Sequence, residues 1–192
     1  FSKVGGQAQG ADVLVIEPEM AFGTGSHPTT QLGLQALAWL RRQDPPNPWT
    51  CLLDAGTGSG IIALYGRKMG VPFIVACDVD EQVFPNLEKN FEGNHARVPT
   101  LVRGDVTGVY GTFDWVFVNI SAEIILTQMA HVCGWVRSGG YLFLSGFRRE
   151  DESGIGQALK KSSPVFRPVW TQTREDWVGV LLKKLESASV KC

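Results

Sequence analysis

Short, continuous runs of hydrophobic residues recur along the chain, and polar or amphipathic stretches separate them. Such runs lie at 51–53, 73–77, 115–118 and 141–144. Apolar runs without alternation are typical of strands buried on both faces of a parallel sheet. Between the runs, residues 29–42 place Leu32, Ala36, Leu37 and Leu40 on one face at helical spacing. Buried strands that alternate with amphipathic helices predict an α/β fold.

The same patterns, with turn residues at their ends, predict the order of the elements. Strands are predicted at 13–17, 51–54, 73–77, 98–102, 113–118, 141–145, 165–171 and 177–183. Helices are predicted at 29–42, from 61 to about 69, through 87 and 91, at 123–132 and at 151–160. Because a short link joins the last two strands, we expect an antiparallel hairpin at the edge of a doubly wound, mostly parallel seven-stranded sheet.

A glycine-rich turn, GTGSG at 56–60, follows the apolar run 51–53 and precedes an apolar helix. Glycines there allow the backbone to approach a ligand closely. No Lys-Ser or Lys-Thr pair follows, which excludes a nucleotide-triphosphate loop, and G-x-G-x-G differs from the dinucleotide pattern G-x-G-x-x-G. Asp54, two residues ahead, would repel a pyrophosphate but attract an ammonium or a sulfonium group. The turn therefore favours S-adenosylmethionine as the cofactor.

Polar residues directly follow several predicted strands. Asp78 ends the run 73–77, about 20 residues after the glycine turn, where an acid can accept hydrogen bonds from both ribose hydroxyls. Asp78 is preferred over Asp80 because it adjoins the strand, whereas Asp80 is placed to cap the next helix. Asp105 and Asn119 follow two further strands. Since ligands bind outside the carboxyl ends of parallel strands, the site is predicted at this edge.

Six segments carry a family resemblance. They are AFGTGSHPTT at 21–30, LLDAGTGSGI at 52–61, CDVD at 77–80, VNI at 118–120, LSG at 144–146 and EDWV at 175–178. Over roughly 12–184 the chain resembles the catalytic domain of the ribosomal protein L11 methyltransferase family, and the first string is the most specific part. The resemblance implies a class I, Rossmann-like methyltransferase fold, S-adenosylmethionine as cofactor, and methyl transfer to lysine side chains and the α-amine of ribosomal protein L11.

We expect the string 21–30 to form a lid or a wall over the cofactor, with Gly23 and Thr24 among the residues that bind it. Thr30 begins a helix, and its hydroxyl and the helix N-terminus are expected to bind the methionine carboxylate. Phe22 is a candidate to cover the sulfonium or the acceptor chain. His27 is either a base or a residue that organises the loop by a hydrogen bond, and the second reading is preferred.

Further cofactor-binding residues are expected at the strand ends. The backbones of Gly56 and Gly58 would meet the cofactor. Asp54 would secure the loop or meet the cofactor's ammonium group, and Asp105 would accept a hydrogen bond from the adenine amino group. All four lie at or just beyond the ends of predicted strands.

Asn119 is the candidate catalytic residue and is also expected among the residues that bind the cofactor. Methyl transfer requires alignment rather than a nucleophilic side chain, and the side-chain oxygen of Asn119 or the adjacent carbonyl would hold the hydrogens of a neutral amine. An Asx turn at the strand end is the structural alternative. The segment NISA at 119–122 lacks the two prolines and the aromatic residue typical of adenine- and glutamine-directed methyltransferases. A flexible alkylamine is therefore favoured over a planar acceptor.

Composition narrows the class of partner. The chain has 192 residues, 44% of them hydrophobic, which is enough for the core of one domain. Its 18 basic and 19 acidic residues leave a net charge of −1, so neither a nucleic acid nor a membrane surface is an expected partner. No apolar run reaches membrane-spanning length and no export signal is visible, so a cytoplasmic location is expected. The four cysteines are widely separated, and no residue cluster predicts a disulfide or a metal site.

The predicted organisation is a linker-like lead at 1–11, a methyltransferase domain at 12–184 and a flexible tail at 185–192. The family usually has an additional N-terminal domain, so the chain is expected to be a piece of a longer protein. Alternatives remain open at this point: a methyltransferase of another protein or of a small-molecule amine, a noncatalytic cofactor-binding domain, or an NAD-dependent oxidoreductase. The sequence makes no prediction of the oligomeric state.

Overall fold

A seven-stranded sheet with helices on both faces forms the centre of the molecule. The structure is a computed structural model that describes residues 2–4, 13–17, 23–162 and 165–186. The strands are β1 (Ser2–Val4), β2 (Leu14–Ile16), β3 (Cys51–Ala55), β4 (Phe73–Asp78), β5 (Thr100–Arg103), β6 (Phe113–Asn119), β7 (Val136–Arg148), β8 (Phe166–Arg174) and β9 (Trp177–Lys184). The α-helices are α1 (Pro28–Gln43), α2 (Ile61–Lys68), α3 (Val83–Gly93), α4 (Ala122–Trp135) and α5 (Glu152–Ser162).

The strand order in the large sheet is β5-β4-β3-β6-β7-β9-β8. The first five strands of that order are parallel, whereas β9 runs antiparallel to both β7 and β8. From β3 the chain moves outward through β4 to β5, and from β6 it moves the other way, so the switch point lies between β3 and β6. The predicted doubly wound sheet with a C-terminal antiparallel hairpin at one edge is confirmed.

Neighbouring residues of the central strands point to opposite faces and build two cores. On one face, Leu52 and Phe117 belong to a cluster with buried residues of α1, α2 and α3. On the other, Leu53 and Val118 belong to a cluster with buried residues of α4 and α5. Both faces are covered, which explains why the strands appear in the sequence as unbroken apolar runs.

β1 and β2 form a separate two-stranded antiparallel sheet, in which Lys3 pairs with Val15. Residues 2–4, within the predicted linker-like lead, are thus a strand; residues 5–12 lie outside the described residues. At the other end, the Leu185 amide donates to the Val165 carbonyl at 2.8 Å, and residues 187–192 lie outside the described residues. The domain boundaries at 11 and 184 stay predictions.

Two strands begin two or more residues away from their predicted starts. β5 begins two residues later than the prediction, at Thr100, and β7 begins at Val136 rather than at 141. Phe113 of β6 pairs with Val136 of β7, but Trp115 pairs with Tyr141, so Ser138 and the two following glycines form an irregularity inside β7. These residues resemble a turn in the sequence. Pairing with β6 on both sides of them keeps them in the sheet.

Candidate functional site

The glycine turn after β3 is held at the end of the strand by its own backbone. Gly56, Gly58 and Gly60 all have positive φ angles, of 74°, 51° and 77°. The amides of Gly56 and Thr57 both donate to the carbonyl of Cys77, at 2.9 and 3.0 Å. A Cβ at Gly60 would lie 2.6 Å from Leu87 Cγ, so this glycine also lets α3 pack against the turn.

Asp54 lies beneath this turn and is fully buried, with 2% of its surface exposed. Its Oδ2 accepts hydrogen bonds from Thr57 Oγ1 at 2.7 Å and from the Ala63 amide at 3.2 Å. Burial raises the pKa of this carboxyl to about 6, although the two hydrogen bonds act in the opposite direction. Of the two expected roles, the contacts correspond to securing the loop.

Asp78, at the end of β4, ties the glycine turn to the next loop. One carboxylate oxygen accepts from the Gly58 amide at 3.0 Å, and the other accepts from the Asp80 amide at 3.1 Å. Asp80 in turn accepts from the Gln82 amide at 3.0 Å, which forms an Asx turn ahead of α3. The N-cap of α3 is Gln82, so the expectation that Asp80 caps the helix is wrong by two positions.

Residues 23–30, the described part of the predicted string, run into the first turn of α1. His27 is the N-cap: its Nδ1 accepts from the Thr29 amide at 3.3 Å and lies 2.8 Å from Thr29 Oγ1. Ser59 Oγ donates to the Gly23 carbonyl at 2.6 Å, and Thr24 Oγ1 lies 3.1 Å from Ser26 Oγ. The string therefore lies against the glycine turn. Phe22 lies outside the described residues.

Two side-chain oxygens near the start of α1 are buried without a hydrogen-bond partner. They are Thr30 Oγ1 and Gln31 Oε1. The Gln31 amide group donates to the carbonyls of Gly25 and Ser26, both at 3.1 Å, so this side chain holds the glycine loop in place. Buried polar atoms in folded proteins are normally paired. This pair of atoms fits a polar group of a ligand at the N-terminus of α1.

Asn119 ends β6 and borders a cavity of about 320 Å³. The cavity is lined by His27, Thr29, Asn119, Ile120, Ser121, Gly146 and Trp177. A Cβ added at Gly56 would overlap Ile120 and lie 3.5 Å from the Asn119 carbonyl oxygen, so the glycine turn and this cavity share a wall. The structure thus brings Asn119 beside the predicted cofactor loop, at the switch point of the sheet.

Trp177 is a cavity residue to which the sequence analysis gave no role in the site. It comes from β9, and its ring meets the His27 ring edge-on with centroids 5.0 Å apart. The Arg148 guanidinium lies over the same ring, 5.1 Å from its centre. The antiparallel hairpin therefore contributes an aromatic wall to the cavity. Its place in the string EDWV was the only signal in the sequence.

Asp105 follows β5 and is exposed. Its Oδ1 accepts hydrogen bonds from both the amide and the hydroxyl of Thr107, in a short 3₁₀ turn at Val106–Gly108. These hydrogen bonds lower the pKa of the Asp105 carboxyl. The residue lies at the same sheet edge as Asp78, but its described contacts are local.

Other chemistry has little support in the described ranges. Within residues 13–17, 23–162 and 165–186, no group of three or more His, Cys, Asp or Glu side chains is arranged to hold a metal ion. Cys51, Cys77 and Cys133 are free thiols, and Cys192 lies outside the described residues. Among the described helices, none combines the length and the hydrophobicity that crossing a membrane requires.

The fold and the site together define a class I methyltransferase architecture, with a glycine turn after the central strand and an acid at the end of the neighbouring strand. The family model for ribosomal protein L11 methyltransferase (PrmA) matches residues 4–185. The chain belongs to this family. It is 35% identical over 179 residues to the ribosomal protein L11 methyltransferase of an Exiguobacterium species, covering 90% of this chain and 54% of that protein. The chain spans about half the length of the curated relatives it matches.

Solved structures agree with this assignment of the fold. The crystal structure of a ribosomal protein L11 methylase from Lactobacillus delbrueckii subsp. bulgaricus has a TM-score of 0.83 at 26% identity, covering 95% of this chain and 91% of that chain. A magnesium protoporphyrin IX methyltransferase from Synechocystis with bound S-adenosylmethionine has a TM-score of 0.66 at 18% identity, covering 89% of this chain and 86% of that chain. The second similarity concerns the fold alone.

Proposed function

We propose that this chain is the catalytic domain of an S-adenosylmethionine-dependent protein methyltransferase that modifies lysine side chains and the α-amine of ribosomal protein L11. The single observation that carries the proposal is the shared wall between the glycine turn and the cavity at Asn119. A methyl donor bound on the turn and an amine in the cavity would be neighbours. Membership of the family supports the choice of L11 as acceptor.

Residues at the strand ends and at the start of α1 suit S-adenosylmethionine. Thr30 Oγ1, buried and unpaired, is a donor for the methionine carboxylate at the N-terminus of α1. Asp78 and Asp105 lie at neighbouring strand ends and would accept from the ribose hydroxyls and the adenine amino group. The backbones of Gly56 and Gly58 provide the close approach. Val79, directly after Asp78, is 68% exposed and offers an apolar surface to the adenine ring.

The remaining proposed cofactor contacts come from the string before α1. Gly23 and Thr24 are tied to the rest of the site through Ser59 and Ser26, which supports a role as a wall over the cofactor. Phe22 stays a candidate for the same wall. Asp54 lies beneath the glycine turn, where its two hydrogen bonds hold Thr57 and the start of α2.

When bound, S-adenosylmethionine supplies a methyl group activated by its positively charged sulfur. The chain must then present a neutral amine. A lysine amine is neutral in fewer than about one molecule in a thousand at pH 7, which costs roughly 4 to 5 kcal/mol. A cavity walled by Ile120 and Trp177 favours the neutral form by desolvation. The Asn119 side-chain oxygen and the Ile120 carbonyl would accept the remaining hydrogens and so aim the lone pair.

His27 has a defined role in this arrangement. Its Nδ1 caps α1 and its ring supports Trp177, so it shapes the cavity without acting as a base. Ribosomal protein L11 would be met in the cytoplasm. A protein acceptor is consistent with the near-neutral charge of the chain.

The proposal is tested by calorimetry with S-adenosylhomocysteine and by transfer of labelled methyl groups to purified ribosomal protein L11. We expect saturable binding and label on L11. Asn119→Ala should lower kcat by about 10²-fold, a larger effect than the one on S-adenosylhomocysteine affinity. Ser121→Ala, at the same cavity, is the matched control and should keep most of the activity. Absence of binding would refute the cofactor, and binding without transfer to L11 would refute the acceptor.

A further inference from the structure

Three buried asparagines lie on one face of α3 and its C-cap. Asn86, Asn90 and Asn94 are spaced four residues apart, and each is no more than 5% exposed. Buried amides are costly unless their donors and acceptors are paired. A row of three such residues on a helix that also packs Leu87 and Phe91 into the core therefore needs partners.

The three asparagine side chains form hydrogen bonds with the backbone of β2 and of Glu17, the residue after it. Asn94 accepts from the Val15 amide at 3.0 Å and donates to the Val15 carbonyl at 2.6 Å. Asn90 accepts from the Glu17 amide at 2.8 Å, and Asn86 donates to the Glu17 carbonyl at 3.5 Å. Four helical residues rise about 6 Å and two strand residues about 6.7 Å. Asn94 and Asn90, four positions apart on the helix, can therefore bond Val15 and Glu17, two positions apart along the extended chain.

Asn90 differs from its two neighbours because it also bonds the cofactor loop. Its Nδ2 donates to the Ser59 carbonyl at 2.9 Å. Ser59 Oγ then donates to the Gly23 carbonyl at 2.6 Å. One side chain thus connects Glu17 with the glycine turn, and the glycine turn contacts Gly23.

β2 runs toward the edge of the sheet at which the site lies. α3 begins after the carboxyl end of β4, so its first turn lies near the site and Asn94 lies at its far end. β2 runs from Val15 beside Asn94 to Glu17 beside Asn90 and Asn86. The row of amides therefore guides the chain toward the site edge. Gly23 and Gly25, with φ angles of 98° and 94°, are conformationally free residues that depend on such anchors.

We propose that Asn90 is a positioning residue for the cofactor site: it holds the glycine turn and residues 23–26 in the arrangement that binds the cofactor, without touching the cofactor itself. The inference rests on the proposed function of this site. Without the Asn90 side chain, the glycine turn and the segment before α1 would sample other arrangements. The apparent affinity for the cofactor would then fall in proportion to the fraction of molecules that keep the binding arrangement. Asn94, which bonds β2 but not the turn, lacks this role.

The test compares Asn90→Leu with Asn94→Leu, two near-isosteric changes on the same face of the same helix. Both should lower the free energy of unfolding. Only Asn90→Leu should weaken S-adenosylhomocysteine binding, by about tenfold or more, and raise KM for S-adenosylmethionine more than it lowers kcat. In the ligand-free proteins, hydrogen exchange at 23–26 and 57–60 should accelerate in Asn90→Leu alone.

Ser59→Ala provides a second test that leaves α3 intact. It removes the hydrogen bond to the Gly23 carbonyl and should also weaken binding and accelerate exchange at 23–26. Equal binding losses in the two asparagine variants, or unchanged exchange in both Asn90→Leu and Ser59→Ala, would overturn the proposal. If the unaltered chain binds no S-adenosylhomocysteine, the proposed function fails, whereas the exchange experiment still decides whether Asn90 holds the loops.

Discussion

Gly146 lies against the backbone of Ile120 so closely that a Cβ at position 146 would overlap the Ile120 carbonyl oxygen. The two residues follow a paired position, since Asn119 on β6 is in register with Ser145 on β7. Gly146 has a φ angle of 95°. The end of β7 therefore sets the position of a carbonyl that, with Asn119, borders the proposed acceptor cavity.

Gly146→Ala should lower kcat by more than about tenfold, because the Ile120 carbonyl must move from its place beside the acceptor. Backbone strain at a positive φ should also reduce the free energy of unfolding by about 1 to 3 kcal/mol. Gly139→Ala is the control: it lies on the same strand with a φ of 77°, and its nearest neighbour would be Glu186 Oε1 at 3.7 Å. Equal kcat losses in both variants would contradict the role of the Ile120 contact.

Asp78→Ala should weaken S-adenosylhomocysteine binding by about 1 to 3 kcal/mol, through the loss of charge-assisted hydrogen bonds. Part of this loss would come from the glycine turn, because Asp78 also accepts from the Gly58 amide. Asp80→Ala removes only the Asx turn before α3 and should change affinity much less. Calorimetry compares the affinities of the two variants. A larger loss of affinity in Asp80→Ala would show that Asp80, not Asp78, binds the ribose.

Asp54 should make stability fall as the pH rises from about 4 to about 6. Its folded pKa is about 6, above the ordinary value of 3.8, so the folded state keeps a proton that the unfolded state releases. The stability contributed by this proton is fully present below pH 3.8 and is lost as the pH passes the folded pKa, by about 3 kcal/mol at most. Urea melts give the free energy of unfolding at each pH. Its slope against pH over this window should differ between the unaltered chain and Asp54→Asn. Parallel profiles would refute the shift.

Gly156→Ala should stabilise the fold by about 0.5 to 1 kcal/mol, because alanine is the better helix former and a Cβ there meets nothing within 4 Å. The residue faces a cavity of about 250 Å³ between α5 and the sheet. Gly66→Ala makes the same exchange in α2, but its Cβ would lie 2.7 Å from Leu52 Cδ2. We expect Gly66→Ala to be less stable than the unaltered chain by about 1 to 3 kcal/mol in thermal melts. The reverse order would refute this packing argument.

Much of the fold was predictable because its signals are local. The runs at 51–53 and 73–77 are unbroken since helices cover both faces of β3 and β4. Glycines at 56, 58 and 60 mark a turn that only positive φ angles can form. The irregular start of β7 was not predictable, because Ser138 and the following glycines resemble a turn until β6 pairs on both sides of them.

The site was predictable only where its residues directly follow strands. Asp78 and Asn119 could be placed at the sheet edge because carboxyl ends of parallel strands meet there. Asn90 and Trp177 could not, since each acts on a residue that the fold brings near: Ser59 and His27, respectively.

Order along the chain was sufficient to establish the α/β architecture, the glycine turn and the edge at which a ligand binds, because hydrophobic periodicity and glycine conformation are properties of neighbouring residues. Tertiary packing decided the rest. It buried Asp54 under the turn, joined β2 to α3 through asparagine amides, and placed Trp177 beside His27. Such contacts depend on distances between remote segments, which no local pattern encodes.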